Sequence, residues 1–202
     1  AWATPALPWF DGPRPGAQAQ AAVALLADAP SHGLDAEDYD ATALQHALAQ
    51  AMRDPPLDAP AAARLDEALT AAVLRLLQDL HGGRVAPALS SYRVATAAPE
   101  RFDAAEALQA ALALQDVSFA VREAAPRLAQ YERLREALAR YRALAGHSAW
   151  QQALPPLPRA LEPGAASLAV PLLAARLAAL GDLPADELQR STDAAFYDDA
   201  LV

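Results

Sequence analysis

Residue types able to break and make bonds are few in this 202-residue chain, and their spacing does not suit catalysis. The four histidines, His32, His46, His81 and His147, all lie more than four residues apart, so no HExxH or H-x3-H pair can hold a metal from one helix face. Cysteine is absent, which removes thiol nucleophiles, disulfides and thiolate-held metals. No GxSxG elbow presents a serine, and Gly82-Gly83-Arg84 stands where a helix should end rather than begin, the wrong place for a phosphate nest. The 25 acidic residues could set two carboxylates across a cleft for glycoside hydrolysis. They fall instead at expected helix starts (Asp40, Asp103, Asp193) or on expected polar faces (Glu67, Asp79, Glu136). Neither a metal nor any other cofactor is expected.

What remains is recognition. A tryptophan face can stack on sugar C–H surfaces, so Trp9, Tyr92 and Trp150, with Arg84 beside them, are candidate contacts for a glycan or a partner protein. In a chain of this composition the plainer reading of the aromatics is as packing anchors. The net charge of −9 repels nucleic-acid phosphates and anionic lipid headgroups, so neither is an expected partner. No apolar run reaches the roughly 18 to 20 residues of a membrane span. The chain opens at Ala1 without a basic-plus-apolar leader, so any targeting segment is expected to have been removed.

The elements that must position these residues are helical. The chain holds 56 alanines and 32 leucines, no isoleucine, and only 13 valines and threonines together, a composition that favours helix and excludes an all-β fold. Four prolines in the first 16 residues predict an extended segment lying across a surface, anchored by Trp2, Trp9 and Phe10. Helices follow over about 17–28, with Val23, Leu26 and Ala27 inward, and from an Asp40 N-cap through Leu44, Leu48 and Met52. The longest is expected over about 59–81, with Leu65, Leu69, Val73, Leu76, Leu77 and Leu80 on one face and Arg64, Asp66, Glu67, Arg75 and Gln78 on the other.

Residues 84–101 read as loop with one brief strand at SSYRV. Asp103 and Glu106 have capping-box spacing for a helix through Leu108, Leu112 and Leu114, and Pro126 breaks the helical stretch after it. The next helix carries Tyr131, Leu134, Leu138, Tyr141 and Ala145 inward and a Glu136–Arg140 pair outward. Residues 147–169 form a proline-rich crossing segment with a turn at Pro163-Gly164. Pro171 then opens a helix closed by Gly181. Asp193 should cap a last helix with Phe196, Tyr197 and Leu201, so short that a longer module is expected to continue it. The sum is an irregular all-α fold of about seven to nine helices with at most a short β-hairpin.

Four blocks of this chain, in order, resemble the large multidomain (YcbB-like) murein L,D-transpeptidases. PWFDGPRPGAQAQAAVALLADAPSHGLDAEDY is similar to their N-terminal part with its A-x-x-x-GL-x-x-x-DY turn. LDEALTAAVLRLLQDLHGGRVAP resembles the following helix with its D-x-x-x-GR-V-x-P signature, here Asp79, Gly83, Arg84, Val85 and Pro87. YERLREALARYRALAGHSAW and LEPGAASLAVPLLAARLAALGDL resemble the two segments after it, with HSAW where that family commonly has GGW.

The resemblance implies a scaffold domain over residues 1–192. Residues 193–202 would be a linker or the start of a peptidoglycan-binding module, whose first helix begins with a sequence like FYDDALV. It further implies a periplasmic or cell-envelope protein whose SHGC-type catalytic cysteine lies in another domain, so this chain is expected to be non-catalytic. Adjacent domains of the parent protein are the implied partners, with peptidoglycan as a further one. Two other readings stay open: a stand-alone module gripping glycan or protein through Trp9, Arg84, Tyr92 and Trp150, and a helical muramidase-like enzyme using an unrecognised carboxylate.

Overall fold

The computed structural model describes residues 7–84, 102–157, 160–199 and 201. Trp2, Tyr92 and the expected SSYRV strand lie outside the described residues. The chain divides into two compact units, residues 1–135 and 136–202, with the boundary inside one helix.

In the first unit a two-stranded antiparallel hairpin, β1 (Phe10–Asp11) and β2 (Arg14–Pro15), turns at Gly12, whose φ of 65° suits glycine. The helices α1 (Ala17–Ala27), α2 (Ala41–Arg53), α3 (Ala59–Gly82), α4 (Ala104–Ala113) and α5 (Val117–Ala124) follow. Two 3-10 turns, Ala29–His32 and Ala36–Tyr39, join α1 to α2. The central element is α3, which packs against α1, α2, α4 and α5. Asp58 caps it, accepting the Ala61 N–H at 2.8 Å, and the chain leaves it through Gly83 at φ 74°. Its expected leucine and valine stripe is buried in full, each side chain contributing about 1.5–3 kcal/mol.

Trp9 joins the proline-rich opening segment to α3. Its side chain is fully buried, its backbone N–H donates to Asp66 Oδ1 at 3.1 Å, and its indole N–H donates to Thr70 Oγ1 at 2.8 Å. Its carbonyl accepts the Gly16 N–H at 2.9 Å, so all three polar groups of the residue are satisfied. Asp66 therefore corrects the expectation that placed it on the polar face. It lies one turn from Thr70 on the buried side of α3, because a chain segment rich in proline needs an acceptor from elsewhere. Arg14, on β2, reaches Met52 O at 2.7 Å and Ala51 O at 3.4 Å, capping the C-terminal end of α2.

Other expectations are corrected in detail. Asp40 precedes α2 but its side chain does not cap it; it sits at φ 52° as the residue that follows the preceding 3-10 turn. Ala27, Met52 and Leu114 are exposed, while alanines such as Ala19, Ala22 and Ala51 are buried. The α6 helix (Ala129–Ala145) has no buried residue, and Leu134 and Tyr141, expected inward, are 61% and 54% exposed. The Glu136–Arg140 pair does not form among the described residues; the Arg140 guanidinium instead stands 5.3 Å from the Tyr141 ring centre.

The second unit contains a 3-10 turn, Ser148–Trp150, and helices α7 (Val170–Leu180) and α8 (Ala185–Ala194). Pro171 opens α7 and Gly181 closes it at φ 86°, as expected. No terminal helix starts at Asp193, which belongs to the last turn of α8. Ala195 then takes φ 53°, and the strand-like segment after it pairs with 164–167. Tyr197 N–H bonds Ala165 O at 2.9 Å, and Gly164 N–H bonds Tyr197 O at 2.7 Å. A small core of Val170, Ala174, Leu183 and Leu201 holds this unit. Among the described residues there are eight α-helices and one hairpin, an all-α fold, and no helix is long and apolar enough to cross a membrane.

Because Asp66 serves a buried N–H, Asp66→Ala should lower stability by about 1–3 kcal/mol in urea unfolding followed by circular dichroism. Asp66→Asn, which keeps an acceptor, should cost less. Equal losses in the two variants would remove the hydrogen bond from the account. Trp9→Ala should cost about 3–5 kcal/mol through the cavity it leaves.

Candidate functional site

Two of the sequence blocks meet around the end of α3. Tyr39 is fully buried and its hydroxyl donates to Asp79 Oδ2 at 2.8 Å; burial, with this hydrogen bond, holds the phenol well above its ordinary pKa. The Arg84 guanidinium lies 2.6 Å from Asp38 Oδ2, and Arg75 Nη1 donates to Asp38 O at 2.7 Å. The Asp38-Tyr39 pair of the first block is thus tied to Asp79 and Arg84 of the second. These hydrogen bonds and the ion pair tie the end of α3 to the turn before α2, and the junction works as a clasp.

Of the sequence-derived contact residues, Trp9 has no exposed surface and serves the core, while Arg84 is half exposed in the clasp. Tyr92 lies outside the described residues. Trp150 belongs to the second unit and is 37% exposed. The Arg176 guanidinium stands 5.0 Å from its ring centre and donates to Ala149 O at 3.0 Å and Gln152 O at 2.5 Å. Trp9 bonds Asp66 and Thr70 whereas Arg84 bonds Asp38, so the structure gives these two no common partner.

Two of the histidines have structural settings at helix or turn ends. His81 stacks on Phe102 with ring centres 4.5 Å apart, and His147 accepts the Ala149 N–H through Nδ1 at 3.2 Å. Among the described residues no cluster of potential ligands could hold a metal.

A group missed by sequence reading lines two adjoining hollows beside α1 and α5. One, of about 440 Å³, is bordered by Gln18, Asp28, Gln115 and Asp116; the other, of about 320 Å³, by His32, Arg122, Arg127, Glu132 and Arg135. Leu25 and Ser118 line both. Ser118 donates to Asp116 and accepts from Arg122 Nη1 at 2.5 Å, so its hydroxyl is engaged in holding the start of α5 and has no general base. The Asp116 carboxyl is held below its usual range by Ser118 and Arg122. Arg135 donates to Ser31 O at 3.3 Å and Ser31 Oγ at 3.1 Å. No sequence signal marked this group, because its members come from α1, the turn after it, α5 and α6 at irregular intervals.

His32 connects that turn to α6. With the imidazole proton on Nε2, its Nδ1 accepts the Tyr131 hydroxyl at 2.5 Å, and the two rings stack. Burial, then Arg135, lowers the His32 pKa against the opposing pull of Asp28 and Glu132. The folded state therefore favours neutral His32, and the unfolded chain takes up the proton first as pH falls below 6.5. Stability contributed by this group should be complete above that pH and be lost as pH drops through the lower folded value. Denaturation midpoints measured from pH 7.5 to 4.5 should fall less steeply in His32→Gln than in the unaltered chain. Parallel slopes would contradict this.

Comparison with known proteins gives one match. The family model for the Scaffold domain matches residues 4–138, more than half of the chain and nearly all of it in the first unit. No curated protein and no solved structure matches the chain. With the clasp and the Trp9 anchor both lying inside the matched stretch, the chain belongs to the Scaffold domain family.

Proposed function

We propose that this chain is the non-catalytic scaffold of a periplasmic L,D-transpeptidase that cross-links peptidoglycan. The observation that carries the reading is the Scaffold-domain match over residues 4–138, on the stretch that holds the first two of the four ordered transpeptidase-like blocks. The motif residues behind that likeness, Asp38, Tyr39, Asp79 and Arg84, are engaged in the clasp, as suits a module that works by shape. The parent reaction needs a thiolate to attack the donor carbonyl and an amine to displace the thioester. This chain has no cysteine, so that nucleophile must come from another domain.

A second reading, a glycan- or protein-binding module, is favoured by Trp150, partly exposed and backed by Arg176. Saturable quenching of tryptophan fluorescence by glycan strands, lost in Trp150→Ala, would support it.

Incubated with disaccharide tetrapeptide, the chain should yield no cross-linked product, and turnover would overturn the non-catalytic assignment. The reading frame that encodes it should also encode an SHGC-containing domain; a frame without one would remove the transpeptidase parent and leave the Scaffold-domain membership standing.

A further inference from the structure

We propose that the start of α6 is an arm released by protonation of His32. A catch, made of His32 with Tyr131 and Ser31 with Arg135, holds it to the turn after α1 and opens while the core around α3 stays folded. No residue of α6 is buried, and the helix gives no side chain to the core cluster of the first unit. Among the described residues, its hydrogen bonds to the rest of that unit all fall on one short turn. The Tyr131 hydroxyl donates to His32 Nδ1 at 2.5 Å, with the rings stacked at 6.1 Å, and Arg135 donates to Ser31 O and Oγ at 3.3 and 3.1 Å. An element attached in this way, without buried apolar contacts, opens at lower free energy than the core.

Only a neutral His32 can work the catch as it stands. Its Nδ1 accepts the Tyr131 proton, whereas an imidazolium carries a proton on both nitrogens and accepts nothing. The Tyr131 hydroxyl would have to turn and offer its oxygen to a charged ring that is half-buried, where charge is costly. The surrounding charges do not remove that cost. Arg135 on α6 opposes the added proton, and Arg122 of α5 and Arg127 after it border the same hollow. Asp28 at the end of α1 and Glu132 on α6 attract it. Asp28 Oδ2, however, accepts the Ser31 hydroxyl at 2.8 Å, and Glu132 pairs with Arg135 at 3.4 Å. Burial and Arg135 outweigh the two acids, so the folded chain gives His32 a proton less readily than the released one. Because α6 walls the smaller hollow through Glu132 and Arg135, its release bares Leu25 and Val121.

The test is NMR on the isotope-labelled whole chain from pH 7.5 to 4.5. Nuclear Overhauser contacts between the His32 and Tyr131 rings should fade in step with the His32 titration, and the amides of 132–138 should lose protection from exchange by about tenfold. Amides of Leu69, Val73 and Leu76 in α3 should stay protected through the same range. His32→Gln keeps an acceptor without a titrating proton, so its α6 signals should hold steady as pH falls. Tyr131→Phe lacks the hydroxyl and should release α6 at a higher pH than the unaltered chain. Ring contacts that persist after His32 has titrated, a ring that stays neutral to pH 4.5, or joint loss of protection in α6 and α3 would each overturn the proposal. So would an unchanged pH response in His32→Gln or no shift in Tyr131→Phe. The first three outcomes are read on the unaltered chain, so they stand even where a variant fails to fold.

Discussion

The first unit depends on one attachment, the seating of Trp9 on α3. An opening segment with four prolines among 16 residues cannot build a full ladder of its own hydrogen bonds, so it holds a position where another element supplies partners. Asp66 and Thr70 do so from successive turns of one helix face, and the indole fills the space between. The arrangement has an electrostatic cost. Burial raises the Asp66 pKa, and the Trp9 N–H offsets part of that by stabilising the carboxylate. Once Trp9 is seated, Gly16 is held by the Trp9 carbonyl, α1 starts where it must, and Arg14 falls within reach of the end of α2.

How much of this was legible follows from which residues carry period. The leucine stripe of α3 repeats at three and four over about four turns, and Leu44 with Leu48 places α2; both were readable because large side chains mark a face. The inner face of α1 was not, since Ala19 and Ala22 are buried while the similar Ala21 and Ala24 are exposed. Asp66 was assigned to solvent because a carboxylate's default place is outside, and only a partner 57 residues away reverses that. On α6 the error ran the other way: an apolar stripe predicts burial only if something covers it, and no residue of that helix is buried. The α8 helix was missed and a terminal helix expected in its place, because Asp193 looks like a cap, whereas Pro184 starts the helix and Ala195 ends it.

The candidate site was less legible than the fold, for a geometric reason. Periodicity finds residues that share an element, whereas the hollows beside α1 and α5 draw on Gln18, His32, Arg122 and Arg135 from separate ones. The resemblance, by contrast, marked residues correctly but not their task. Asp38, Tyr39, Asp79 and Arg84 stood out as motif positions, and in the structure they hold the end of α3 against the turn before α2. Membership of the Scaffold domain family accords with motif residues that bind the chain to itself.

The composition of the core sets how this domain can fail. Of the 25 buried residues of the main cluster, 10 are alanine, among them Ala19, Ala22, Ala111 and Ala120 with no exposed surface. A methyl group leaves little to truncate, so the usual loss by cavity formation applies at Trp9, Tyr39, the leucines and the valines and not at the alanines. At the alanines the danger is enlargement: one added methylene has to force apart helices that approach closely because the side chain there is small. Sequence drift in such a protein is constrained from above in volume, and even valine, one base away from every alanine codon, adds two carbons to a site built for a single methyl group.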